Sequence, residues 1–61
     1  MLKELDKLIN QRIYLFTTTS ENGSVMILKE YDNLGIVVTG VDNSTLIYPW
    51  TSIDHIIPYN S

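Results

Sequence analysis

The 61-residue chain has no cysteine, one histidine, and four basic residues against seven acidic ones. Without cysteine it can form neither a disulfide nor a thiolate metal site. A single histidine, His55, removes a zinc centre built from several histidines. No stretch approaches the roughly 20 apolar residues of a membrane span. The start, Met1-Leu2-Lys3-Glu4, alternates charges and does not read as a signal peptide, so a cytoplasmic protein is the expectation. Also missing are a glycine-rich phosphate loop, a nucleophile elbow and metal-ligand spacing. General acid–base work needs a positioned pair, and His55 has only its neighbour Asp54 in view. The chain does not read as an enzyme, and no cofactor is expected.

A chain of this length makes one domain. It buries only about 60% of its unfolded surface, so its own core is marginal. Such domains are often helped by disulfides, metals or oligomerisation; the first two are closed off here. The net charge of −3 is unevenly placed. Residues 1–12 hold Lys3, Lys7 and Arg12 against Glu4 and Asp6, a balance of +1. Residues 13–61 hold only Lys29 against Glu21, Glu30, Asp32, Asp42 and Asp54, a balance of −4. A nucleic-acid binder draws much of its affinity from neutralised phosphates. This chain could offer cations only near its N-terminal segment or by gathering copies around a pore.

Leu2, Leu5, Leu8 and Ile9 recur at helical spacing with polar residues between them, which predicts an amphipathic helix over residues 1–11. Glu4 and Lys7 are placed to pair on its exposed side. Too short to persist alone, the helix must lie on something apolar. From Arg12 the period becomes two: Ile13, Leu15 and Thr17 alternate with Tyr14, Phe16 and Thr18. Asn22-Gly23 is a strong hairpin signal, because both residues tolerate positive φ. Further strands are predicted at residues 25–31, 36–41, 45–48 and 52–57. Asp32-Asn33 and Asp42-Asn43-Ser44 supply turns, and Pro49-Trp50-Thr51 breaks the chain. The expected architecture is mainly β with one N-terminal helix. A five-stranded, strongly bent antiparallel sheet over residues 12–58 would form a small open barrel in a single domain, 1–61.

The last two strands carry apolar residues on both faces: Leu46, Ile47 and Tyr48 in one, Ile53, Ile56 and Ile57 in the other. Edge strands are normally blunted by charge, proline or twist. A strand apolar on both sides is covered on both sides, and this chain has little left to cover them. Pairing the fourth strand of one copy with the fifth of the next would do so. That contact is heterologous, and it closes into a ring or runs on as a fibre.

The order helix–five strands, the segment Tyr31-Asp32-Asn33-Leu34 and the block around Tyr48 resemble Sm-like proteins, and among them the Hfq branch. The resemblance spans roughly residues 2–58 and implies a homo-oligomeric ring that holds single-stranded RNA, U-rich or A-rich, around a central pore. A hexamer is implied, with five- to seven-membered rings open. Asn33 matches a polar residue that binds uridines, and Leu34 occupies the place of an aromatic one. Tyr48 matches the tyrosine of the second motif. Pro49 and Trp50 stand where that branch has lysine and histidine, so the main cationic contacts are absent. The resemblance thus assigns Asn33, Leu34, Tyr48 and Trp50 to a pore site. It assigns Tyr14, in Ile13-Tyr14-Leu15, to a site on the opposite face. The glycine that bends the second Sm strand is not evident between Val25 and Glu30.

Each residue has a plainer role as well. Asp32 can simply form its bend. Tyr48 can lie at a subunit contact. Trp50 can be an interface anchor, a stacking platform for a base, or a plug against its own barrel. A ring-forming interaction module that has lost RNA is the alternative function.

Overall fold

The computed structural model describes residues 3–59. Its elements are α1 (Lys3–Asp6), β1 (Arg12–Thr17), β2 (Ser24–Tyr31), β3 (Gly35–Thr39), β4 (Thr45–Pro49), a 3-10 turn (Trp50–Ser52) and β5 (Ile53–Pro58). The strands form one antiparallel sheet in the order β4-β3-β2-β1-β5. Consecutive hairpins build β1 to β4, and β5 then returns to lie beside β1. The sheet is not closed, and β4 and β5 are its two edges. Among the described residues no helix is long and apolar enough to cross a membrane.

The alternation in β1 decides which side is the core. Ile13 and Leu15 are fully buried, while Tyr14 and Phe16 face the other way and are half-buried. Leu28, Ile36 and Val38 complete the core. Each such side chain contributes about 1.5–3 kcal/mol by burial. Leu28 lies across from Val38, but the register then shifts, so that Glu30 faces Val37 and Lys29 is an extra residue. A bulge of this kind bends a strand and raises its twist. The second strand therefore turns without the glycine whose absence the sequence showed. A second shift leaves Asp54 as the extra residue of β5 opposite Phe16 and Thr17.

Leu5, Leu8 and Ile9 pack against the core, as the amphipathic pattern requires. Leu2, expected to begin that stripe, lies outside the described residues. Among the described residues the regular helix is Lys3–Asp6, so it ends before the expected residue 11. Beyond it the chain runs in tight turns: the Leu8 N–H donates to the Leu5 carbonyl at 2.9 Å and the Gln11 N–H to that of Leu8 at 2.9 Å. Asn10 has a left-handed φ of 65°, a conformation that ends helices. Its N–H donates to the Leu28 carbonyl at 2.6 Å, and the Leu28 N–H returns to Gln11 at 3.1 Å. Docking onto β2 thus wins over continuing the helix. Glu4 and Lys7 do not pair with each other, and among the described residues no Lys or Arg forms an ion pair.

The Asn22-Gly23 expectation is corrected. Neither residue has positive φ, and residues 18–23 form an open loop rather than a two-residue turn. The Asn22 N–H donates to Ser20 Oγ at 3.2 Å, and the Thr18 N–H donates to the Ser52 carbonyl at 3.0 Å. A Cβ on Gly23 would lie 2.6 Å from the tip of the Phe16 ring, so a larger residue there would displace that ring. The tight, left-handed turn is the other one. Asn43 has φ 65°, and its N–H donates to the Gly40 carbonyl at 3.0 Å.

Candidate functional site

Asp32 shapes the bend between β2 and β3. Its Oδ1 accepts the Leu34 N–H at 2.8 Å and the Gly35 N–H at 3.1 Å, while its own N–H donates to the Gly35 carbonyl at 2.9 Å. This is the side-chain-to-backbone bonding for which aspartate is favoured in turns. It turns Asn33 outward to solvent and leaves Leu34 76% exposed. The bend is therefore held from within, and its outer residues are free to contact something else.

Gly35 brings the next element close. It pairs with Pro49 across the β3–β4 ladder, and Ile36 pairs with Tyr48. Tyr48 is half-buried and packs against the core, whereas its neighbour Ile47 points the other way and is 75% exposed. The bend, β3 and β4 together border a groove of about 380 Å³. Tyr31, Leu34, Val37, Ile47, Tyr48 and Pro49 supply its apolar wall. Among the described residues its only charged lining residues are Glu30 and Asp32, and no Lys or Arg lines it. Such a groove can receive a flat or apolar group, but it cannot neutralise a phosphate.

Trp50 closes the bend from behind. Its indole N–H donates to the Asp32 carbonyl at 2.7 Å, and its backbone N–H donates to the Leu34 carbonyl at 3.0 Å. The half-buried ring packs against the core. Of the three roles open from sequence, these contacts are those of a plug against its own barrel. Tyr31 adds a further tie, its hydroxyl donating to Asp6 of α1.

Leu34 and Tyr48, from two separate stretches of chain, line the groove together, whereas Asn33 sits on the bend and Trp50 against it, and neither lines the groove. Tyr14 stands apart on β1, two strands from β3. There it pairs with Val25 and Ile57 across the ladders, and its ring meets Tyr59 at 5.0 Å and a 56° tilt. His55 is a packed and hydrogen-bonded surface residue: it stacks on Phe16 at 4.2 Å, and its Nδ1 is 2.8 Å from Asp54 Oδ2. No three His, Asp or Glu side chains among the described residues converge as a metal ion would require.

Sequence reading missed a second cleft, of about 440 Å³. It lies between the 18–23 loop and β4, and its lining includes Thr17, Thr19, Ser20, Asn22, Ser24 and Ser52 beside Tyr48. The density of hydroxyls in Thr17–Ser20 was its one signal, and strand chemistry accounts for that equally well. Comparison with protein-family models, with curated proteins and with solved structures found no significant match.

Proposed function

We propose that this chain is an Sm-like protein of the Hfq type, a cytoplasmic homo-oligomeric ring that binds single-stranded RNA. The observation that carries the reading is the open sheet. Its two edges are β4 and β5, and each exposes an apolar residue, Ile47 at 75% and Ile57 at 43%. Joining β4 of one copy to β5 of the next satisfies both edges with one repeated heterologous contact, and closure of that contact makes a ring. The groove beside Asn33, Leu34 and Tyr48 adjoins β4, so assembly would repeat it once per copy.

Bases would stack on Tyr48 and lie against Leu34, with the Asn33 amide bonding to base edges. Aromatic platforms contribute about 1–3 kcal/mol per base. With Glu30 and Asp32 as its only charges among the described residues, the groove would bind through bases rather than phosphates. The expected salt dependence is therefore shallow, whereas a protein that neutralises many phosphates shows a steep one. Tyr14 would serve a separate site on the other face.

The acidic lining favours a second reading, a ring-forming interaction module without RNA. Native mass spectrometry with and without short oligo-U and oligo-A separates the two. A ring that takes up an oligonucleotide supports RNA binding, and a ring that ignores both supports the module. A monomer removes both readings. In a ring that binds, replacing Asn33 and Tyr48 by Ala is expected to weaken binding at least about tenfold, a loss of roughly 1.4 kcal/mol, with oligomer size unchanged.

A further inference from the structure

We infer that Trp50 is a positioning residue that couples the Asp32–Gly35 bend to the edge strand β5, so that pairing of that edge and ordering of the bend reinforce each other. The inference rests on the ring reading above, because it needs β5 to be a subunit contact.

Every hydrogen-bonding group of Trp50 is engaged, and the bonds run in two directions. The indole N–H and the backbone N–H hold the Asp32 and Leu34 carbonyls, one on each side of Asn33. The Trp50 carbonyl accepts the N–H of Ile53, the first residue of β5. The same turn is tied to the loop that follows β1 by the Thr18 N–H, which donates to the Ser52 carbonyl. Through its indole and its own backbone, one residue whose half-buried ring packs on the core therefore links the bend to the start of a strand paired on one side only. A strand paired on one side only opens locally more readily than one paired on both. When β5 frays, Ile53 and the turn loosen, and the bend loses the support of Trp50. Pairing β5 with another copy removes that freedom and orders the bend. A ligand seated on Asn33 and Leu34 does the reverse, since coupling between two sites is reciprocal.

The test needs no RNA. Exchange of the Leu34 and Gly35 amide hydrogens, both bonded to Asp32, is measured by NMR in the dilute and the assembled full chain. Assembly is expected to slow both at least about fivefold, the lower end of ordinary coupling between sites. Trp50→Phe keeps an aromatic ring and loses the indole donor. In that variant the slowing is expected to shrink markedly although the protein still assembles. Equal rates in the dilute and assembled wild type overturn the coupling, as does an undiminished difference in Trp50→Phe. If that variant does not fold, the indole N–H of the wild type decides: it slows on assembly together with Leu34 and Gly35, and an unchanged rate overturns the proposal. A chain that stays monomeric at every concentration refutes the ring reading and the coupling with it. An assembly whose bend exchanges as in the monomer refutes the coupling alone.

Discussion

Gly35 lies so close to Tyr48 that a Cβ on it would sit 2.1 Å from the Tyr48 carbonyl oxygen and 2.8 Å from Pro49 Cα. The obstacle is backbone, which cannot swing aside as a side-chain tip can. Gly35→Ala must therefore push β4 away from β3, where it pairs with Pro49. Overpacking of this kind costs about 2–3 kcal/mol. Denaturant unfolding at fixed protein concentration is expected to show a lower midpoint with a similar slope, and the groove should be lost with it. Unfolding at the wild-type midpoint would mean that β4 is not held against β3 as described.

Ile47 gives the sharpest test of the edge. It is 75% exposed on β4, so Ile47→Lys should change the stability of the isolated fold by no more than about 0.5 kcal/mol. A lysine on an edge strand opposes strand addition. Sedimentation is expected to show the variant as a monomer at concentrations where the wild type is assembled. An assembly unaffected by Ile47→Lys would place the subunit contact elsewhere.

Acid should act on the β3–β4 turn through Asp42. Its Oδ1 accepts the Ser44 hydroxyl at 2.6 Å and the Ser44 N–H at 3.1 Å. These two bonds, the hydroxyl first, hold the carboxyl below its ordinary value of 3.8. Because folding lowers this pKa, the stabilisation is complete above the ordinary value and fades as pH falls through the folded one. An NMR titration is expected to place the Asp42 midpoint below 3.8 and to move it upward in Ser44→Ala. As pH falls from above 3.8 through the folded midpoint, the wild type should lose more stability than that variant. Coincident titrations would exclude the Ser44 contact as the cause.

Much of the architecture was legible because its signals are local. The alternation of Ile13 and Leu15 with Tyr14 and Phe16 marks a half-buried strand by itself. Asp32 and Asp42 form turns with their own neighbours, so their roles could be read from a few adjacent residues. Asn22-Gly23 misled because neither residue takes positive φ and the loop is tied instead to Ser52, a residue distant in sequence. The helix was read too long because Asn10 and Gln11 bond to Leu28, a residue from a different element. Trp50 was left with three roles because its partners, Asp32 and Leu34, are distant in sequence.

The sequence by itself determined a mainly β chain of five strands without disulfides, and it marked the last two strands as apolar on both faces. A period of two specifies which residues share a face, but it does not specify which strands are neighbours. Only the tertiary structure decided that β5 crosses back beside β1, setting Leu15 between Ser24 and Ile56 and leaving β4 and β5 as the edges. It also decided that Leu34 and Tyr48 share a groove and that Trp50 braces the bend carrying Asn33, while Tyr14 lies apart. Those choices rest on hydrogen bonds and burial between residues far apart in the chain, and no local pattern encodes them.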